Sequence, residues 1–193
     1  GFIPYIDTAY QGLGDGLDED AYGVRMMADR LPELVIASSC SKNFGLYRER
    51  TGSITFITET PEQADIVAAQ AMSVARQIYS MPPAHGALLV SLILGDKQLR
   101  ANWEEELTEV RTRIQSMRSL LADNIQQNAA GIDFSHIKQQ KGMFSFLGLN
   151  TAQLDQLRDE FGIYIVSSSR VNLAGINSSN IDYLSDSIIS VLK

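Results

Sequence analysis

The sequence of 193 residues has a single cysteine, Cys40, so no disulfide can form within the chain. A low cysteine content is typical of proteins in a reducing compartment, and we expect a cytoplasmic protein. The two histidines, His85 and His136, lie far apart and predict no metal site. No apolar run is long enough to cross a bilayer. Lys and Arg number 16 against 23 Asp and Glu, and the net charge of −7 excludes the basic surface that nucleic acids or anionic membranes require.

Hydrophobic residues make up 45% of the sequence and charged residues 20%, as in globular proteins. There is no internal repeat and no low-complexity segment. The sequence opens on an apolar run, Gly1 to Ile6, as if within a core element, whereas chain termini usually lie at the surface. We therefore expect the chain to be the C-terminal part of a longer protein.

The first third alternates short apolar runs with turn residues. Runs at 3–6, 34–37 and 53–58 predict three strands, and the spacing over 19–31 predicts a short helix. Thr60, Pro61 and Gln63 form a helix start with a capping box. We expect that helix to end near Tyr79 and another to cover 84–94.

Apolar residues then recur at steps of three and four, which predicts one helix over about 97–128. They are Leu99, Trp103, Leu107, Val110, Ile114, Met117, Leu121 and Ile125. We expect Arg111, Arg113 and Arg118 to lie mostly on its solvated side. A helix of this length favours a domain boundary near its middle, which divides the chain into 1–109 and 110–193.

The last third predicts an α+β arrangement, following an α/β first part. Strands are expected at 133–138, 143–147, 163–166 and 170–174. Thr151 is expected to cap a helix that ends at Gly162, and a final helix carries Ile181 to Leu192.

The segment SCSKNFG, at 39–45, directly follows the second predicted strand. Lys42 in this setting is either a nucleophilic amine or a lysine that reaches solvent. The segment also matches Ser-x-x-Lys of penicillin-binding enzymes, but the Lys-Thr-Gly and Ser-Asp-Asn motifs that accompany it there do not occur in this sequence.

Five segments in order resemble class I (fold-type I) pyridoxal-phosphate aminotransferases of the aspartate and aromatic subgroup. They are DTAYQG at 7–12, SCSKNFGLYRERTG at 39–52, YSMPPAHG at 79–86, GMFSF at 142–146 and SRVNLAG at 169–175. The resemblance implies an α/β fold in which 1–109 ends a large, mostly parallel-sheet cofactor domain. Residues 110–193 would then form the small α+β C-terminal domain.

The resemblance also implies that the cofactor is pyridoxal 5′-phosphate and that Lys42 forms the Schiff base with it. Asp7 then faces the pyridine nitrogen, and Tyr10 hydrogen-bonds the phenolic oxygen. The implied phosphate ligands are Ser39, Ser41 and Arg50. Without the resemblance, Asp7 would be interpreted as a turn cap and Tyr10 as a core tyrosine.

The substrates implied are amino acids and 2-oxo acids. Arg170 matches the residue that binds the substrate α-carboxylate, and Phe144 one that lines the substrate side. Arg76 matches the residue that binds the distal carboxylate of dicarboxylic substrates in the other subunit's site, which implies a homodimer. Trp103 and Cys40 are interpreted as packing residues, and Arg48 as a surface residue.

The segment GLGDGL at 12–17, with the Cys40-containing lysine segment, resembles the aromatic branch more closely. The activity implied is ping-pong transfer of an amino group from an aromatic amino acid, or aspartate, to 2-oxoglutarate. Aspartate aminotransferase is the alternative within the family. An alternative of another class is an inactive fragment that at most binds or dimerises, because the family's N-terminal half is missing from this sequence.

Overall fold

The structure, a computed structural model, describes residues 1–129 and 131–193. The chain divides into two compact units. The first comprises Gly1–Gly12 and Gly16–Thr108, and the second comprises Leu13–Asp15 and Glu109–Lys193. The strands are β1 (Tyr5–Thr8), β2 (Leu34–Ser39), β3 (Gly52–Ile57), β4 (Phe144–Phe146) and β5 (Arg170–Asn172). The helices are α1 (Leu17–Asp20), α2 (Tyr22–Arg30), α3 (Pro61–Tyr79), α4 (His85–Gly95), α5 (Lys97–Asn128), α6 (Thr151–Phe161) and α7 (Ile181–Leu192), with 3₁₀ helices at Ser135–Gln139 and Leu173–Gly175.

The first unit contains a three-stranded sheet in the order β1-β2-β3. β1 and β2 are parallel, whereas β3 runs antiparallel to β2. The first strand begins two residues later than the run at 3–6 predicts, because the ladder with β2 starts at Tyr5 opposite Val35. Asp7 therefore lies inside β1, opposite Ala37.

Helix α3 of the first unit follows its sequence signals closely. The capping box of α3 is confirmed: the Gln63 N–H donates to Thr60 Oγ1, and the Thr60 N–H donates to Gln63 Oε1, both at 3.3 Å. The helix ends at Tyr79, as predicted. The single helix expected over 19–31 is wrong, since α1 and α2 are separate and meet at Ala21.

The second unit has an extensive core between α5, α6 and α7, with β4 and β5 as a two-stranded antiparallel sheet. The observed bounds of α5 agree with the predicted 97–128. Its apolar stripe is correct for most positions, but Leu99 and Val110 are exposed. Arg118 was expected on the solvated side and is instead buried, with 3% of its surface exposed.

Three expectations for the second unit are wrong in detail. The region predicted as a strand at 133–138 contains a 3₁₀ helix, because the Asp133 carboxylate accepts the Ser135 N–H at 2.8 Å and favours a turn. Residues 163–166 alternate between half-buried and exposed, as a strand would, but form no ladder among the described residues. The cap of α6 is Asn150 rather than Thr151, with Asn150 Oδ1 accepting the Gln153 N–H at 3.0 Å.

Among the described residues, no helix combines the length and the apolar character needed to cross a membrane.

Candidate functional site

The carboxyl ends of β1 and β2 lie side by side because the two strands are parallel and in register. Asp7 is opposite Ala37, and Thr8 is opposite Ser38. Side chains that follow these strands therefore share one edge of the sheet, which is where open α/β sheets bind ligands. This edge carries Asp7 and Tyr10 from the first strand and Ser39, Ser41 and Lys42 from the second.

Two serine hydroxyls meet where β2 ends. Ser39 Oγ lies 3.0 Å from Ser41 Oγ and also accepts the Ser41 N–H at 3.1 Å, a local turn that serine favours. Ser41 is buried. The turn continues with the Gly45 N–H donating to the Lys42 carbonyl at 3.3 Å. The result is a compact loop in which the two paired hydroxyls directly precede Lys42 in the chain.

The Lys42 side chain lies against the ring of Tyr10. Lys42 Nζ is 4.8 Å from the ring centre, within the range of a cation–π contact. Lys42 is half-buried, while Tyr10 is 37% exposed. The sequence-predicted residues Tyr10 and Lys42, which are 32 positions apart, are thus brought together.

Asn43 and Trp103 hold the far side of this loop. The sequence did not reveal this role for either residue. Asn43 Nδ2 donates to the Gln11 carbonyl at 3.2 Å, and Trp103 Nε1 donates to the Asn43 carbonyl at 2.7 Å. The Trp103 ring also stacks on Phe44, with centroids 4.3 Å apart. Trp103 was interpreted as a packing residue from the helix stripe, and no sequence signal indicated its bond to the residue after Lys42.

Arg50 lies in the loop that joins the lysine segment to β3. β2 and β3 pair Ser39 with Gly52, and the Cys40 N–H donates to the Thr51 carbonyl at 3.0 Å. Arg50 has a left-handed backbone with φ of 52°. Its guanidinium donates to the Tyr47 carbonyl at 2.9 Å, so here it binds its own loop rather than the serine hydroxyls.

The start of α4 packs on the same loop. A Cβ added at Gly86 would lie 1.9 Å from Thr51 Oγ1 and 2.7 Å from the Glu49 Cβ, so any larger residue there would force these side chains to move. His85 Nδ1 lies 2.9 Å from Glu49 Oε2. The segment at 79–86 therefore supports the loop that carries Arg50.

A cavity of about 460 Å³ lies in the first unit beside the lysine loop. Its walls include Cys40, Phe44 and Trp103, but not Lys42, Asp7 or Tyr10. Burial raises the pKa of the Cys40 thiol, which keeps it protonated. This agrees with the interpretation of Cys40 as a packing residue.

In the second unit, Arg170 and Phe144 are in contact across the β4–β5 pair. The Arg170 guanidinium carbon lies 4.5 Å from the centre of the Phe144 ring. Arg170 is directly opposite Phe146, and Phe144 is its diagonal neighbour on the paired strand. At this distance the guanidinium and the ring form a cation–π contact.

The residue before Arg170 is held in an unusual conformation. Ser169 has a φ of 61°, a left-handed region that costs a non-glycine residue about 1–2 kcal/mol. It is buried, and its Oγ accepts the Leu149 N–H at 2.9 Å. The sequence did not single out Ser169, because neither its φ nor its partner can be inferred from the residue type.

Arg76 lies on the exposed surface of α3, one helical turn beyond Met72. Arg48 is exposed, as expected. The site residues thus form two groups: Asp7, Tyr10, Ser39, Ser41, Lys42 and Arg50 in the first unit, and Phe144 with Arg170 in the second.

Comparison with known proteins finds relatives that are named as aminotransferases. Residues 1–188 match the family described as "Aminotransferase class I and II". The chain is 51% identical over 192 residues to an aspartate aminotransferase of Haemophilus influenzae, covering 100% of this chain and 48% of that protein. It is 45% identical to an aromatic-amino-acid aminotransferase of Pseudomonas aeruginosa, covering 98% of this chain and 47% of that protein.

Solved structures with a similar fold are also aminotransferases. An aromatic-amino-acid aminotransferase from Burkholderia pseudomallei, covalently bound to pyridoxal phosphate, superposes with a TM-score of 0.96 at 43% identity, covering 99% of this chain and 48% of that one. A mitochondrial aspartate aminotransferase from Trypanosoma brucei has a TM-score of 0.96 at 40% identity, covering 99% and 50%. The chain spans about half the length of the curated relatives it matches. With a matched region that takes in both units and every site residue named above, the chain belongs to the family of class I and II aminotransferases.

Proposed function

We propose that this chain is part of a pyridoxal-phosphate-dependent aminotransferase. The observation that carries the proposal is the position of Lys42, a half-buried lysine just after β2 that directly follows the paired hydroxyls of Ser39 and Ser41 and whose Nζ lies 4.8 Å from the centre of the Tyr10 ring. The amine, the hydroxyls and the Asp7 carboxylate all belong to residues in or near the carboxyl ends of β1 and β2, in a chain of the aminotransferase family. A lysine that only reaches solvent needs none of these neighbours.

The residues at this edge match the chemical groups of the cofactor. The hydroxyls of Ser39 and Ser41 suit a phosphate dianion, and Arg50 would exchange its Tyr47 carbonyl for a charge-assisted bond to the same group. The Asp7 carboxylate, at the same edge, suits a protonated pyridine nitrogen. When bound, pyridoxal phosphate supplies an electron-withdrawing ring that stabilises negative charge at the substrate Cα.

The remaining steps, which are covalent attachment, proton transfer and substrate binding, would be carried out by residues of this chain. Lys42 would hold the cofactor covalently and, once displaced by substrate, move a proton at its Nζ. Tyr10 would donate its hydroxyl to the cofactor's phenolic oxygen. Arg170, with its guanidinium lying on Phe144, would bind the substrate α-carboxylate through two parallel N–H bonds.

The proposed substrates are amino acids and 2-oxo acids, in ping-pong exchange with 2-oxoglutarate as the second acceptor. Aromatic donors are our first candidate, on the segments at 12–17 and 39–52. Aspartate is the second candidate, and it is favoured by the higher identity to aspartate aminotransferases, 51% against 45% for an aromatic one. Half-reaction rates with phenylalanine, tyrosine and aspartate distinguish the two, and refusal of every aromatic donor would eliminate the first.

We also propose a homodimer. Helices α3 and α4 expose many large apolar side chains, a surface that a monomer rarely leaves uncovered. They are Ile66, Met72, Val74, Ile78, Tyr79, Leu88 and Leu92. Arg76 shares a face of α3 with Met72, four residues earlier. The family resemblance implies that Arg76 of one copy then serves the site of the other copy.

The dimer is tested with the full-length protein by sedimentation equilibrium. We expect Ile78→Lys to yield monomers and Asp186→Lys, an exposed change on α7 in the second unit, to leave dimers. A dimer that persists in the Ile78 variant, or a monomeric unmodified protein, would remove this surface from the proposal.

The cofactor assignment is tested by reducing the full-length protein with borohydride in the presence of pyridoxal phosphate and mapping the labelled peptide. We expect the label on Lys42, its loss in Lys42→Ala, and its retention in Lys97→Ala, which removes an exposed lysine at the start of α5. Absence of label from Lys42 in the unmodified protein would refute the proposed function.

A further inference from the structure

Arg118 is a buried arginine without an acidic partner. Only 3% of its surface is exposed, and none of the salt bridges among the described residues includes it. Burial lowers the pKa of its guanidinium from the ordinary value, though arginine remains charged at neutral pH. Buried charges are rare unless paired, so the chain retains this one at a cost.

The Arg118 guanidinium binds a single short segment, residues 142–145, which runs from the turn at Gly142 into β4. It donates to the Gly142 carbonyl, to Ser145 Oγ at 3.2 Å and, at the long limit of 3.5 Å, to the Phe144 carbonyl. Gly142 has a φ of 81°, so the chain turns sharply where Arg118 holds it. Five N–H donors in a rigid fork suit this task, which a flexible lysine could not reproduce.

The segment that Arg118 holds also sets the place of Arg170. Side chains alternate along β4, so the buried Ser145 points away from the face of Phe144 and Phe146. Phe144 lies against the Arg170 guanidinium at 4.5 Å. A shift of β4 on the Arg118 side therefore moves the ring on which Arg170 rests.

We propose that Arg118 is a positioning residue for substrate recognition: through Gly142 and Ser145 it fixes β4, and through Phe144 it orients Arg170 toward the substrate α-carboxylate. The inference rests on the proposed function, since it needs Arg170 to bind that carboxylate. Arg118 itself touches no substrate. Its removal should weaken recognition of the carboxylate specifically.

The test uses the full-length protein loaded with pyridoxal phosphate and two pairs of amines, each pair differing only in the α-carboxylate: phenylalanine with 2-phenylethylamine, and aspartate with β-alanine. For Arg118→Met we expect a KM for the amino acids about 10- to 100-fold higher, with the rates for 2-phenylethylamine and β-alanine, which lack the α-carboxylate, unchanged. For Ser145→Ala we expect a KM rise of about three- to tenfold. Arg118→Lys should fall between Arg118→Met and the unmodified protein.

A second measurement does not depend on turnover. Equilibrium binding of 3-phenylpropanoate and of succinate, which are carboxylates without an amino group, should weaken by the same factors. Arg113→Met is the matched control, because Arg113 lies on the same helix and also donates to backbone carbonyls, those of Ala174 and Ile176 at 3.0 Å. We expect it to leave the preference for carboxylates unchanged.

The outcomes distinguish failure of the proposed role of Arg118 from failure of the role of Arg170 on which it rests. If Arg170→Ala leaves the amino acid to amine ratio unchanged, the proposed role of Arg170 fails and this inference fails with it. If Arg170→Ala abolishes the preference while the Arg118 and Ser145 variants match Arg113→Met, only the role of Arg118 is refuted. Equal loss with amino acids and amines in Arg118→Met would show a general structural effect and refute positioning. Should Arg118→Met not fold, Ser145→Ala decides, and an unchanged KM there refutes the inference.

Discussion

The ammonium nitrogen of Lys42 lies 4.8 Å from the centre of the Tyr10 ring, with the two residues at the ends of neighbouring parallel strands. A cation over an aromatic face at a partly exposed site is stabilised by about 0.5–1 kcal/mol. The ring therefore restrains the amine on which the proposed chemistry depends.

The first prediction concerns that restraint. Tyr10→Leu removes the aromatic face, so Lys42 should be reductively methylated about two to five times faster in the cofactor-free full-length protein. Tyr10→Phe retains the face and should match the unmodified protein. Quantitative peptide mapping measures both rates, and equal rates for Leu and Phe would show that the contact does not restrain Lys42.

The two substrate arginines should act on different carboxylates. Arg170→Ala should lower kcat/KM about 10- to 100-fold or more for every donor, because each loses a hydrogen-bonded charge partner for its α-carboxylate. Arg76→Ala should impair mainly dicarboxylates, and Arg48→Ala is an exposed control expected to have no effect. Steady-state kinetics with phenylalanine, aspartate and glutamate measure this, and an equal effect of Arg170 and Arg76 on phenylalanine would contradict the assignment.

Two substitutions at Ser169 can separate the effect of backbone strain on stability from the effect of a hydrogen bond. Ser169→Ala and Ser169→Gly both remove the acceptor of the buried Leu149 N–H, which costs about 1–3 kcal/mol. Glycine also relieves the left-handed φ of 61°. We therefore expect the free energy of unfolding in urea to be about 1 kcal/mol lower for Ser169→Ala than for Ser169→Gly. Equal stability of the two variants would mean that the backbone is not strained.

Gly86 and Gly95 give a matched comparison within α4. Gly86→Ala forces Thr51 and Glu49 to move and should destabilise the protein by about 1–3 kcal/mol. A Cβ at Gly95 meets no atom within 4 Å, so Gly95→Ala should be neutral or stabilising by up to about 1 kcal/mol. Melting temperatures of both variants test this, and an unaffected Gly86→Ala protein would show that the loop at 49–51 yields without cost.

Local signals predicted most of the helices. Thr60 and Gln63 specify the start of α3 through two mutual hydrogen bonds, Pro61 fits the first helical position, and Gly162 ends α6 in a left-handed conformation. Such interactions lie within a few residues, so the sequence contains both partners. The run at 163–166 has the alternation of a strand, but a strand also needs a partner that its own residues cannot supply.

The site was predicted through resemblance rather than through periodicity. The residue types at 7–12 and 39–52 identify Asp7, Tyr10 and Lys42 as candidates, yet nothing local says that Tyr10 and Lys42 touch. Arg118 shows the opposite failure: helical spacing placed it mostly in solvent, and the structure buries it against the turn at Gly142. Periodicity describes the faces of one helix and cannot show what packs against them.

By itself, the sequence determined the boundaries of the longer helices α3 and α5, the family and the residue types available for chemistry, because caps, turns and motifs are formed by neighbours along the chain. The tertiary structure decided which of those residues meet: Lys42 with Tyr10, Trp103 with the Asn43 carbonyl, and Arg170 with Phe144. These pairs join positions 26 to 60 residues apart, and strand register and helix packing alone bring such distant groups within bonding distance.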